Sequence, residues 1–207
     1  MEIADEKAIV QMYIENKFSA TQIGDSLRTS PSKVRRILDK YKVSRRSISD
    51  AITQLNITKF KKIPFEPKHI LSPREKELKI TGIMLYWGEG AKTGSSLKLA
   101  NSNPDMIKVF LLFLRKICGV DEDRIKILVH MYPDHERSSL ENFWSSVTNI
   151  GLKNFYKPQI LAGKKGTYKN KSVYGTATIH YSDKKLLKLV LRWIDEYRDD
   201  FLKTMPE

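Results

Sequence analysis

Apolar residues recur at helical spacing in three stretches of the N-terminal part of the chain, and capping signals separate them. The first stretch covers about residues 5–16. The second follows Ser19, and Gln22 three residues later completes a capping-box pattern. The third follows Ser30 and Pro31, a cap with proline at the first helical position. The pattern therefore predicts three short helices joined by tight turns.

The third of these helices combines an apolar face with a basic face. Such a helix lays its outer face in the major groove of DNA, where Arg and Lys reach guanine edges or phosphates. The stretch resembles the helix-turn-helix of resolvases, transposases and bacterial regulators, although that family usually has glycine where this chain has Arg28. The alternative is a three-helix bundle with a solvated basic face. The candidate DNA contacts on this helix are Ser32, Lys33, Arg35, Arg36 and Lys40.

A linker is predicted over residues 47–72, because Lys59 to Pro73 contains three prolines and little periodicity. We therefore divide the chain into a helix-turn-helix domain, 1–46, the linker, 47–72, and a second domain, 73–207. Arg45 and Arg46 directly follow the third helix, which makes them candidates for an arm in the minor groove. A solubilising tether explains the two arginines equally well.

The second domain alternates helical and strand patterns, which predicts an α+β fold. Helices are expected over 73–90, 104–119, 138–149 and 183–202. Strands are expected over 97–101, 124–132, 155–161 and 173–181. The last two strands are expected to pair as a hairpin through the basic loop of residues 162–172.

The chain is strongly basic, with 37 Lys and Arg against 24 Asp and Glu in 207 residues and a formal net charge of +13. This charge favours a polyanionic partner, and nucleic acid is the first candidate. The basic residues concentrate in residues 28–46 and in 153–171, and the latter stretch has no acidic residue. Further candidate DNA contacts in the second stretch are Lys157, Lys164, Lys165, Lys169 and Lys171.

Cysteine usage and apolar runs exclude several classes of protein. Cys118 is the single cysteine, so the chain forms no intrachain disulfide and no Cys-based zinc finger. The longest apolar run, Val109 to Leu114, is far shorter than the roughly 20 residues that span a bilayer. The acidic N-terminus is unlike a signal peptide. We expect a cytoplasmic, nucleoid-associated protein with no membrane partner.

The segment from Gly82 to Gly90, with the sequence GIMLYWGEG, is the most informative stretch. It predicts an apolar helix that ends in Gly-Glu-Gly, with the last glycine in a left-handed C-cap. Glu89 then lies at the helix C-terminus, where the macrodipole disfavours an anion. A bound divalent cation or a cationic partner would compensate for this placement.

This segment resembles the LAGLIDADG signature of homing endonucleases, in particular the compact variants that end in Gly-Glu-Gly. The resemblance extends loosely over residues 73–202. It implies an αββαββα-type domain whose twisted sheets lie in the major groove, here with a helical insertion at residues 138–149.

The resemblance also implies the site. Glu89 is expected to bind the catalytic metal, Mg²⁺, while Gly82 and Gly88 let two motif helices approach across a two-fold axis. Only one motif is present, so a complete site requires a homodimer on near-palindromic double-stranded DNA. Lys92 and Lys98 are the candidates for neutralising transition-state charge. The implied function is a metal-dependent, site-specific DNA endonuclease, and the alternative is a regulator that binds DNA without cleavage.

A second set of possible metal ligands lies at His130, Asp134, His135 and Glu136. A strand followed by a polar turn explains these residues better. The chain's tryptophans and Cys118 lie among apolar helical positions and are expected in the core; the tryptophans are Trp87, Trp144 and Trp193.

Overall fold

A computed structural model describes residues 3–47, 50–51, 54, 57, 62–163 and 171–205. The chain divides into two compact units, residues 1–61 and 62–207. The described residues form seven α-helices and a four-stranded mixed sheet, which confirms the predicted α+β class. None of the described helices is both long and apolar enough to span a bilayer.

The first unit contains three helices, α1 (Ile3–Ile14), α2 (Ala20–Ser26) and α3 (Pro31–Lys40). Their apolar sides enclose a small core, because each helix is amphipathic and too short to be stable without its neighbours. The buried residues of this core are Ile9, Ile23, Val34, Ile37 and Leu38.

Side-chain caps start α2 and α3, as the sequence predicts. The Ser19 hydroxyl accepts the backbone N–H of Gln22 at 3.2 Å, and the Gln22 side chain accepts that of Ser19 at 2.8 Å. The Ser30 hydroxyl accepts the backbone N–H of Lys33 at 3.2 Å, and Pro31 is the first helical residue. These bonds satisfy donors that have no partner within the helix.

The second unit has the element order αβαβαββα, which agrees with the order of helices and strands expected along the chain. The αββαββα order that the resemblance implies has no helix between its first two strands, whereas this chain has one there. The helix that was expected as an insertion is present as α6. The elements are α4 (Pro73–Glu89), β1 (Leu97–Asn101), α5 (Pro104–Lys116), β2 (Ile125–Met131), α6 (Arg137–Thr148), β3 (Gln159–Ile160), β4 (Thr176–Tyr181) and α7 (Lys184–Thr204).

The strands lie in the order β1-β4-β2-β3, so the expected hairpin between the last two strands is wrong. β4 pairs antiparallel with both β1 and β2, whereas β3 pairs parallel with β2. A parallel pair needs a crossover connection, and α6 lies in that connection. The expected strand at 155–161 shortens to Gln159–Ile160, since Phe155 forms only an isolated bridge to Ile127.

One face of the sheet is buried and the other is open. Positions along β2 alternate between buried and partly exposed, as expected for a strand covered on one side. The covered side packs against α4, α5, α6 and α7. The largest fully buried side chains of this core are Trp144, Tyr86, Tyr181, Phe110 and Phe113.

Residues 62–72, the end of the expected linker, belong to the second unit. Glu66 donates its backbone N–H to the Gly119 carbonyl at 3.0 Å, and Lys68 donates to Ile117 at 2.9 Å. Gly119 has φ 60°, and a Cβ there would lie 2.1 Å from the Glu66 oxygen. This glycine therefore permits the segment to pack after the end of α5.

Helices α4 and α5 approach closely at Gly82. A Cβ on Gly82 would lie 2.1 Å from Cγ of Phe113, whereas a Cβ on Gly88 would meet nothing within 4 Å. Gly82 therefore lets α4 and α5 pack closely within the chain, and the Phe113 side chain occupies the space beside it. From the sequence, Gly82 was expected at an interface between two chains. Gly88 alone remains open.

We expect Gly82→Ala to lower the free energy of unfolding by about 1–3 kcal/mol, because the new methyl group displaces Phe113 from a close-packed core. Gly88→Ala is the matched control on the same helix. It is expected to keep or slightly raise stability, because alanine favours the helix and its Cβ has room. Urea unfolding followed by tryptophan fluorescence at low protein concentration measures both. Equal stability of the two variants would contradict the close approach at Gly82.

Candidate nucleic-acid interface

Helix α3 separates a buried face from an exposed basic face. Its inner positions lie in the core of the first unit; they are Val34, Ile37 and Leu38. Its exposed outer positions include Ser32, Lys33, Arg35 and Arg36. Within the described part of the chain, the three basic side chains of this outer set form no ion pair with a carboxylate. Their charge is therefore available to an anionic partner.

An open cleft of about 520 Å³ lies between α1 and α3. Lys40 Nζ lies 2.6 Å from Glu6 Oε2 in its wall. This hydrogen bond lowers the pKa of Glu6 and raises that of Lys40. Lys40, a predicted DNA contact, is therefore paired within the unit, whereas Lys33 and Arg36 line the same cleft without a carboxylate partner among the described residues.

The two arginines after α3 contact other residues of the first unit. Arg45 Nε lies 3.4 Å from Asp39 Oδ1, with both side chains exposed. The Arg46 guanidinium donates to the Lys17 carbonyl at 2.6 Å and to the next carbonyl along the chain, and it lies 4.3 Å from the ring centroid of Tyr13. Arg46 thus joins the segment after α3 to the turn between α1 and α2, so it has a structural role and is not part of a free arm.

The turn between α2 and α3 is tight although position 28 is arginine. Arg28 has φ 49°, in the left-handed region that glycine favours. Thr29 donates its N–H to the Gly24 carbonyl at 2.8 Å, and a Cβ on Gly24 would lie 2.7 Å from the Thr29 oxygen. The glycine that permits this close approach is Gly24, inside α2, which the sequence analysis did not identify.

The end of α4 forms a corner around Tyr86. The Tyr86 ring stacks on Phe110 with centroids 5.8 Å apart, and its hydroxyl donates to the Ala91 carbonyl. A Cβ on Gly90 would lie 2.4 Å from this ring. Gly90 has φ −82° and ψ 150°, so the expected left-handed C-cap is wrong and the backbone is extended. Contact with the Tyr86 ring explains the glycine instead.

This corner places Glu89 beside the first strand. Ala91, two residues later, donates its N–H to the Lys98 carbonyl at 2.9 Å. Glu89 is exposed and forms no hydrogen bond or ion pair with the described residues. Lys92 follows in the exposed connection, and Lys98 projects from the exposed side of β1. The three predicted catalytic residues therefore belong to one edge of the sheet.

The open face of the sheet is basic. Lys98, His180 and Lys126 lie directly opposite one another on β1, β4 and β2. None of the four described strands contains Asp or Glu. Lys126 donates to the Asn154 side chain at 2.6 Å, a neutral partner that leaves its charge in place. Lys126 and His180 were not among the contacts predicted from the sequence, although their alternation with buried residues was the available signal.

Burial lowers the pKa of both histidines on this face. The pKa of His180 falls to about 4, first through burial and then through the charges of Lys98 and His130. Its Nε2 is buried without a hydrogen-bond partner, and its ring contacts Tyr156 edge-on with centroids 5.5 Å apart. His130 Nε2 lies 3.1 Å from the Thr178 hydroxyl. The imidazole of His180 is therefore uncharged at neutral pH.

The basic stretch of residues 153–171 is described only in part. Lys157 is exposed, and Lys171 forms an ion pair with Asp134. Lys157 thus remains a candidate contact, whereas the charge of Lys171 is partly compensated. Three more predicted contacts lie outside the described residues: Lys164, Lys165 and Lys169.

The second set of possible metal ligands is not assembled. His130 hydrogen-bonds within the sheet, and Asp134 pairs with Lys171. Glu136 caps α6, where the Ser138 hydroxyl and backbone N–H groups hold its pKa at about 2. Among the residues that the structure describes, no group of three or more His, Cys, Asp or Glu side chains is placed to hold a metal ion.

Helix α4 exposes an apolar strip. Ile80 is 39% exposed and Trp87, seven residues later on the same helical face, is 43% exposed. Trp87 was expected in the core and is instead at the surface, next to the open Gly88. Exposed tryptophan is typical of protein contact surfaces, so this strip is a candidate interface.

Comparison with known proteins finds no match among protein-family models, curated proteins or solved structures. The candidate interface therefore rests on the geometry of this chain. The candidate surfaces are the outer face of α3 in the first unit and, separately, the Glu89 corner and the open face of the sheet in the second unit.

Proposed function

We propose that the protein binds double-stranded DNA site-specifically, as a homodimer. The observation that carries this proposal is the outer face of α3, where Lys33, Arg35 and Arg36 are exposed beside a buried inner face and form no ion pair within the described residues. A helix of this kind fits the major groove, where arginine reads guanine through two hydrogen bonds. A net charge of +13 supports the same partner.

The open face of the second unit supports a second contact with DNA. Its strands contain no carboxylate, and Lys98 and Lys126 project from neighbouring strands of the same sheet. Two-stranded and larger β-surfaces fit the major groove as well as helices do. The protein thus has two basic surfaces, each built on regular secondary structure.

Replacing Lys33, Arg35 and Arg36 together by Ala is expected to weaken DNA binding. A base-contacting arginine contributes roughly 1–3 kcal/mol, and each lost phosphate contact reduces the salt slope by about one. Fluorescence anisotropy across a salt series measures both quantities. The control replaces Lys116, Lys188 and Lys203 by Ala, since these exposed lysines lie on helices that cover the other side of the sheet. If both triple variants weaken DNA binding equally, the effect comes from net charge alone, and the assignment of a DNA contact to α3 is contradicted.

The homodimer is supported by the strip on α4. The chain has one Gly-Glu-Gly segment, and Ile80, Trp87 and the open Gly88 lie on the helix that precedes its end. Pairing of two such helices would bury the strip and bring the ends of the two helices close to one axis. A two-fold assembly of this kind favours near-palindromic DNA. Gly82 is excluded from this interface because Phe113 covers it.

Gly88→Leu is expected to yield monomers, because a side chain there fits the isolated chain and blocks the close approach of a second helix. Lys76→Leu, on the same helix and also exposed, is the control that is expected to stay dimeric. Sedimentation velocity measures the state of each variant. A wild-type protein that sediments as a monomer at high concentration, and also on DNA, would refute the dimer.

A metal-dependent endonuclease is the second function to consider, and Glu89 is the observation that favours it. Mg²⁺ commonly binds through one or two carboxylates together with phosphate oxygens. Glu89 lies at the sheet edge and is unpaired among the described residues of each chain, so the residues fit a cation shared by two Glu89 side chains and the DNA. Bound Mg²⁺ would polarise a phosphate and acidify water. Lys92 and Lys98 would neutralise charge on the reacting phosphate.

Glu89→Gln is expected to abolish Mg²⁺-dependent nicking and to leave DNA binding, because the basic residues provide the affinity. Glu77→Gln, an exposed carboxylate on the same helix, is the matched control and is expected to cleave. The assay incubates each protein with Mg²⁺ and a plasmid library of many target sites. If the wild-type protein binds DNA but nicks no target, and Mg²⁺ does not stabilise it against unfolding, the protein is a regulator that binds without cleavage.

A further inference from the structure

His180 is flanked by two lysines in the plane of the open sheet. In the β-ladder its partner on one side is Lys98 of β1 and on the other side Lys126 of β2. Residues directly opposite in a sheet have Cβ atoms about 4.5–5.5 Å apart. The three side chains therefore form one transverse row, defined here as the Lys98–His180–Lys126 row.

The groups that face His180 carry positive charge or none. Lys98 comes from β1, and Lys126 and His130 from β2. Tyr156, on the segment before β3, contacts the ring edge-on. Nε2 of His180 has no hydrogen-bond partner. The row is therefore a cationic surface whose central imidazole is kept neutral first by burial and then by the charges of Lys98 and His130, with no anion to offset them.

We propose that the Lys98–His180–Lys126 row binds a phosphate group of DNA, and that His180 takes up a proton as the phosphate binds. This inference rests on the proposed DNA-binding function and assigns the phosphate contact to particular residues of the open face. Negative charge placed over the row offsets the repulsion between the imidazolium and the two ammonium groups. The bound state therefore favours the charged imidazole over the neutral one.

The sign of the pH dependence follows from this change. In the free protein burial holds the pKa of His180 at about 4, and bound phosphate raises it. Affinity then increases as pH falls through the pKa of the bound state and stops increasing below the pKa of the free state. For a rise from about 4 to an ordinary value of about 6.5, binding is about 30-fold tighter at a pH of about 5 than at about 7.5.

The experiment measures binding of the full chain to a labelled DNA duplex across this pH range at constant ionic strength. His180→Gln keeps a polar side chain without a titrating ring, and it is expected to lose the pH dependence attributable to this row. His69→Gln, an exposed histidine outside the sheet, is the matched control and is expected to keep the wild-type dependence. Titration of the His180 ring signals by NMR, in the wild-type protein with and without duplex, reads the pKa directly and needs no variant.

The proposal is supported by a His180 pKa that rises in the complex together with a pH dependence that His180→Gln removes. It is overturned if DNA binds while the pKa of His180 stays unchanged, or if wild type and His180→Gln keep the same pH dependence. In either case the proposed DNA binding is unaffected. If no duplex binds at any salt concentration or pH, the proposed function fails, and the inference fails with it.

Discussion

Helices α4, α5, α6 and α7 cover one face of the sheet and leave the other face open. Because side chains alternate along a strand, this one-sided burial divides each strand into a core set and a surface set. Leu97, Leu99 and their neighbours form the core, and Lys98 is carried to the open face between them. The same division places His180 between Ile179 and Tyr181. The basic row thus results from the packing of the opposite face.

The position of Glu89 depends on two close contacts of α4. Gly82 lets the helix lie against Phe113, and Gly90 lets the chain turn across the Tyr86 ring into contact with β1. Both contacts lie within the chain. A helix held at two points presents its remaining surface, with Trp87 and Gly88, in a defined orientation. The backbone at Glu89 is therefore held beside β1 by backbone pairing, and the exposed carboxylate forms no ion pair with the described residues.

Basic residues of this chain serve two different purposes. Arg46 and Lys40 bind groups of their own unit: the Arg46 guanidinium is held by neutral carbonyls, and the charge of Lys40 is compensated by Glu6. Lys33 and Arg35 are exposed and unpaired within the described residues, which leaves their charge for a ligand. The net charge of the chain indicates a polyanionic partner, but only the pairing of individual side chains shows which surfaces can meet it.

The start of α2 and α3, the helix that ends in Gly-Glu-Gly and the alternation along β2 were predictable from the sequence, because caps and periodicity act over a few neighbouring residues. Three other features were not predictable from the sequence: the different roles of Gly82 and Gly88, the role of Arg46, and the parallel pairing of β3. Each depends on a residue far along the chain, such as Phe113 for Gly82. The row formed by Lys98, His180 and Lys126 also required the strand order, since register between distant strands is set by packing of the whole sheet and leaves no local signal.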